Sequence, residues 1–147
     1  MNHDLKPATN SDYGFAWQLY REAAIDFCSR HSNDEWNDDI ETARFKGMWS
    51  VCTNFVVIVD GQSVGWISCS YKPNGDCVVE NGGILTEHRS KGIAEDVLVG
   101  LAEANKEKQT KTFISTEKES SNEQFYRKAG FEVSSSQDQF TQMEFIK

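Results

Sequence analysis

The feature that most constrains this chain is a strand-like run, Cys77–Leu85, that passes through a short basic turn into a long helical pattern over 91–108. Asn81, Gly82 and Gly83 interrupt the strand, and glycine within a strand marks a bulge or a close backbone approach. Ile93, Val97, Leu98, Leu101 and Ala104 then recur at helical spacing. The first four N–H groups of a helix have no internal partner and carry the positive end of its dipole. A strand running into such a terminus is therefore a ready site for phosphate. Gly92 has no Cβ to hold an anion away, and Arg89 and Lys91 add positive charge. Taken alone, the turn also fits a plain strand–helix connection with two solvated basic side chains. It is neither a P-loop nor a Rossmann glycine turn.

The rest of the chain frames this turn. His3–Ala8 reads as a short strand, and Thr9, Asn10, Ser11 and Asp12 offer N-caps for a first helix over 12–29. A second helical pattern runs from Asp34 to Lys46, with Trp36, Ile40, Ala43 and Phe45 apolar and Gly47 as its stop. Phe55–Val59, Ser63–Tyr71 and Cys77–Leu85 are strands separated by Asp60-Gly61 and Pro73-Asn74-Gly75. After the long helix come a strand at Lys111–Thr116, a helix capped by Ser120 or Ser121 and ended by Gly130, and strands at Phe131–Val133 and Phe140–Ile146. This is a mixed α/β layer architecture, expected as one domain over 1–147.

Composition narrows the partners. The formal net charge of −8 argues against general nucleic-acid binding, because DNA and RNA attract basic proteins. Cys28, Cys52, Cys69 and Cys77 show no C-x-x-C spacing and have apolar neighbours, as reduced core cysteines do. His3, His31 and His88 have no metal-binding spacing, so no metal is expected. No apolar run approaches a membrane span, and the expected location is cytoplasmic.

Arg89-Ser90-Lys91-Gly92-Ile93-Ala94 resembles the Q/R-x-x-G-x-G/A pyrophosphate motif of the GCN5-related N-acetyltransferase (GNAT) superfamily. Asn122-Glu123-Gln124-Phe125-Tyr126-Arg127-Lys128-Ala129-Gly130-Phe131 is similar to that family's N-x-x-x-x-Y-x-K-x-G-F segment. One helix and one strand separate the two, and the element order matches over nearly the whole chain. Thr86 stands where many members carry proline, and Ser90 where glycine is common; neither change removes a needed backbone N–H. Glu95 and Asp96 suit the helix dipole but would repel phosphates if turned toward them.

The resemblance implies a six- to seven-stranded, mostly antiparallel sheet with about four helices, its fourth and fifth strands splayed. It implies acetyl-CoA as co-substrate, with pantetheine between those strands on the free edge Gly82–Thr86. Backbone groups of Ile84 and Thr86, with Leu85 between them, would hold pantetheine, and 89–94 would hold the pyrophosphate. The Gly82 N–H would polarise the thioester carbonyl. Tyr126 would protonate the departing thiolate. Asn122 would either bond the pantetheine arm or cap its helix.

An amine with pKa near 10 must also lose a proton, at a cost of roughly 4 kcal/mol at pH 7. Glu80 is the candidate base, two and four residues from Gly82 and Ile84 on one strand face; the alternative is a solvated carboxylate near an edge. Glu35 is a second candidate. Carboxylates near Glu35 and Trp36 suit a small cationic amine, although an acidic helix start with a core tryptophan fits as well. A peptide N-terminus, a lysine side chain, a CoA-binding regulatory module without catalysis, and an interaction domain without CoA remain alternatives. Dimerisation through the last strands is common in the family, and the sequence leaves it open.

Overall fold

The computed structural model describes residues 3–30, 36–89, 91–118 and 120–147. In chain order the elements are β1 (His3–Pro7), α1 (Tyr13–Arg30), α2 (Asp38–Val51), β2 (Thr53–Val59), β3 (Gln62–Tyr71), β4 (Cys77–Ile84), α3 (Ile93–Glu107), β5 (Thr112–Glu117), α4 (Ser121–Ala129), β6 (Phe131–Gln137) and β7 (Phe140–Phe145). The strands form one sheet in the order β1-β2-β3-β4-β5-β7-β6. β1 with β2, β5 with β7, and β6 with β7 are antiparallel. β4 and β5 are parallel, a pairing that needs a crossover, which α3 supplies. That pairing covers Cys77–Val79 against Thr112–Ile114, although β4 continues to Ile84. The result is the mixed α/β sheet with four helices expected from the sequence.

The chain divides into two compact units, Met1–Ser68 with Asn81–Ile93, and Cys69–Glu80 with Ala94–Lys147. In the first, Ala16 and Leu19 of α1, Phe45 of α2 and Trp66 of β3 form a buried cluster ringed by further aromatic side chains and Leu85. Phe45 lies 4.9 Å from Tyr20 and 5.6 Å from Trp66 between ring centroids, spacings at which aromatic pairs attract. The buried Trp66 indole N–H donates to Ser68 Oγ at 2.7 Å, and Ser68 in turn donates to Asn54 Oδ1. The burial of these polar groups is thereby compensated.

α2 differs from expectation in two ways. Gly47 does not end it; the helix runs on to Val51. A glycine inside a helix costs only about 1 kcal/mol, and Met48 and Trp49 beyond it pack on the core beside Phe45. Ile40 and Ala43, expected on the apolar face, are exposed, so the buried stripe follows Phe45 and its i+3 and i+4 neighbours instead. The expected start at Asp34 lies outside the described residues; Asn37 is the cap, accepting from the Ile40 N–H at 3.1 Å.

In the second unit α3 buries Val97, Leu98, Ala102 and Asn105, whereas Ala104, expected to be internal, is exposed. Asn105 is tolerated there because its Nδ2 donates to Thr112 Oγ1 at 2.8 Å. Phe131, Met143 and Phe145 complete this unit's apolar interior. Gly130 closes α4 at φ 115°, a left-handed cap that glycine adopts without strain. Cys69 and Cys77 are buried and Cys52 is half-buried, and none of the three is in a disulfide. Among the described residues, no helix is long and apolar enough to cross a membrane.

Candidate active site

The end of β4 and the turn after it lie within the first unit. β4 is pressed onto β3 by glycines on both strands. A Cβ on Gly65 would stand 2.5 Å from Ile84 Cδ1 and 2.7 Å from the Gly83 carbonyl oxygen. A Cβ on Gly82 would stand 3.0 Å from the Trp66 carbonyl oxygen. The Leu85 N–H donates to the Val64 carbonyl at 2.8 Å, tying the strand end to β3. The glycine break read from the sequence is therefore a close backbone approach.

Beyond it, Thr86–His88 forms one 3-10 turn. The Arg89 N–H donates to the Thr86 carbonyl at 3.2 Å, and Arg89 Nε reaches back to the Ile84 carbonyl at 2.9 Å. Gly92 has φ +79°, a backbone that L side chains rarely adopt, and nothing lies within 4 Å of where its Cβ would be. Arg89, Lys91 and Gly92 are exposed, and Ile93 is buried as α3 begins. Exposed cationic side chains, an open glycine and a helix start thus occur in sequence, an arrangement suited to an anion. Ser90 lies outside the described residues.

Gly82 is exposed, and its N–H donates to Oδ1 of the adjacent Asn81 at 2.9 Å. The amide expected to meet a thioester carbonyl is covered by its own neighbour. Asn81 was visible in the sequence only as a strand breaker. The tendency of Asn side chains to bond nearby backbone is the signal that could have found this contact.

Glu80, Ala94, Asn122 and Tyr126 belong to the second unit. Glu80 is exposed, and its Oε1 accepts from Ser70 Oγ at 2.7 Å. It therefore bears no cost of burial, unlike a charge enclosed in a central strand. Ser120 caps α4, accepting from the Glu123 N–H at 3.1 Å. That removes the capping role from Asn122, whose side chain is exposed. Tyr126 packs edge-on against Phe125 and Phe131, with centroids at 5.4 and 6.2 Å. Burial pushes its phenol pKa up from the usual value. On the same helix the exposed Arg127 pairs at 2.9 Å with the buried Glu123 one turn before it.

The acidic helix start carries a network that the sequence did not reveal. Trp36 Nε1 donates to Asp38 Oδ1 at 2.9 Å, and Arg21 Nε reaches the same oxygen at 3.3 Å. The Arg21 guanidinium also stands 5.8 Å from the Trp36 ring centre. Glu41 accepts from Tyr20 at 2.7 Å and from Arg44 at 2.8 Å. The cation beside Trp36 is thus Arg21 of the same chain, a contact between sequence-distant residues that no local pattern encodes. Glu35 lies outside the described residues. Among those described, no three His, Cys, Asp or Glu side chains group as a metal site requires.

The sheet is mixed, with β4 and β5 parallel, and its glycine-broken strand leads through an anion-suited turn into an amphipathic helix. The family description "Acetyltransferase (GNAT) domain" matches residues 20–147, and the chain belongs to that family. No curated protein matches it in sequence. Among solved structures it is similar to the PaiA N-acetyltransferase of Thermoplasma acidophilum in complex with coenzyme A, with TM-score 0.74, 15% identity and 98% of each chain covered. It is similar to a GNAT acetyltransferase of Elizabethkingia anophelis with acetyl-CoA bound, with TM-score 0.64, 13% identity and 97% and 95% coverage. It is also similar to the ribosomal-protein-S18-alanine N-acetyltransferase of Escherichia coli, with TM-score 0.64, 12% identity and 98% and 93% coverage. At these identities the likeness is one of fold.

Proposed function

We propose that this chain, acting as one acetyltransferase domain, moves the acetyl group of acetyl-CoA to a primary amine of a small cationic molecule. The observation that carries the reading is the turn at Arg89–Ile93: two exposed basic side chains, an open glycine at φ +79° and a helix start follow a strand held at its end by glycine contacts. In this reading the backbone from Gly82 to Thr86 receives pantetheine, and residues 89–94 receive the pyrophosphate. Asn122, exposed and released from capping, bonds the pantetheine arm.

The neutral amine attacks the thioester carbon directly. The carbonyl oxygen becomes an oxyanion and takes the Gly82 N–H. Glu80, exposed and bonded to Ser70, accepts the amine proton directly or through water. The C–S bond then breaks, and Tyr126 gives its proton to the sulfur. An ordinary thiol has a pKa near 8.5 and a phenol one near 10, so that transfer is uphill by roughly 2 kcal/mol or more. It proceeds because it is coupled to collapse of the tetrahedral intermediate, after which water reprotonates the phenolate.

The acceptor class rests on the acidic net charge and on the Trp36–Asp38 pair, which already holds a guanidinium. The test is a panel of small amines with release of CoA thiol followed, run on the wild type and on Arg21→Ala. Turnover of di- and polyamines, with KM for the amine falling severalfold in the variant, supports the reading. Turnover confined to neutral amines or to peptide N-termini would replace the acceptor proposed here.

A further inference from the structure

Resting on that reading of Gly82, we infer that Asn81 is a positioning residue whose side chain caps the oxyanion-binding amide in the free enzyme and yields it to the acyl group. Gly82 is an exposed residue, yet its N–H donates to Asn81 Oδ1 at 2.9 Å and not to solvent alone. Acetyl-CoA can use this amide only by exchanging one acceptor for another. The incoming thioester oxygen is a neutral acceptor in the bound substrate, so the exchange offsets part of its binding there. As charge develops, the oxyanion becomes the stronger acceptor and holds the amide against the cap. CoA has no carbonyl at the sulfur, so the product leaves the cap in place. Asn81 thereby weights the enzyme against its own substrate in the ground state while leaving product affinity untouched. The cap is released equally in the bound substrate and in the transition state, so its cost falls on KM and not on kcat.

The test compares acetyl-CoA with CoA on the wild type, Asn81→Ala and Asn81→Asp. In Asn81→Ala, KM for acetyl-CoA should fall about fivefold, the weight of one ordinary neutral hydrogen bond, with kcat and the Kd of CoA unchanged. Asn81→Asp keeps an acceptor oxygen at the same place, so it should show no such gain. A change shared by both ligands, as a merely structural effect would give, overturns the cap; so does no change in either, or a fall in kcat. Should Asn81→Ala not fold, the Asn81 side-chain amide resonances of the wild type decide: they should shift as the cap is released by a non-transferable acyl-CoA thioether ketone, and shift less with CoA; equal shifts with both overturn the cap. If the wild type binds neither ligand, the acetyltransferase reading fails and the cap with it. If it binds both alike in every variant, the cap alone fails.

Discussion

Arg89 Nε donates to the carbonyl of Ile84 at 2.9 Å, so the cation of the basic turn is anchored to the end of the strand it follows. One hydrogen bond both orients the guanidinium and occupies a strand-edge acceptor. The guanidinium's remaining donors are left for an anion, and a fork of donors suits a diphosphate.

Replacing Arg89 with alanine removes a charge-assisted contact worth about 1.5–3 kcal/mol. The side chain is exposed, so the fold should persist. CoA affinity measured by calorimetry should weaken roughly 10- to 150-fold, and its salt dependence should become shallower. Unchanged affinity would remove Arg89 from the site.

Gly65→Ala tests the contact between β3 and β4. The added methyl would meet the Gly83 carbonyl oxygen at 2.7 Å, and backbone cannot turn aside as a flexible side-chain tip can. Overpacking of this kind costs about 1–3 kcal/mol. Thermal unfolding should fall by about 2–4 °C for each kcal/mol, and acetyl-CoA should bind more weakly because the strand that receives it has shifted. A variant as stable and as tightly binding as the wild type would show that this approach is not needed.

Alkaline titration should separate the tyrosines. Burial, then the neighbouring Cys77 and Cys69, pushes Tyr71 up to about 12. Its hydrogen bond with Cys69 lowers the Cys77 thiol against the effect of burial, so Cys77 gives up its proton first. A folded pKa above the unfolded value near 10 means that Tyr71 contributes to stability in full below about pH 10 and that the contribution is lost as pH rises toward 12. Tyr126 shifts in the same direction through burial. Tyrosinate absorbance should therefore retain a late step near pH 12 that disappears in Tyr71→Phe, and unfolding should become easier over pH 10–12. A single step at pH 10 involving every tyrosine would contradict both shifts.

The sequence exposed what local backbone chemistry dictates. Gly92 was legible as a glycine with no Cβ at a helix start and Gly130 as a helix C-cap, and the order of elements along the chain followed from turn residues and apolar runs. What it hid was set by tertiary contact. Gly47 reads as a stop, but packing of Met48 and Trp49 carries α2 past it. Ala102 and Asn105, not Ala104, face inward on α3, because Thr112 answers the Asn105 amide. The tie between Arg21 and Trp36 joins residues with no spacing rule between them. The Asn81 cap lay one residue from a predicted site, yet an asparagine beside a glycine suggests a turn before it suggests a cap.

The central claim is that the amides of the Leu85–Ala94 junction hold a pyrophosphate, and backbone resonances during a CoA titration test it directly. The amides of Gly92, Ile93 and Ala94 should shift together and saturate with CoA. Pantetheine, which carries no phosphate, should leave them in place. Saturating CoA with those amides unmoved would contradict the account.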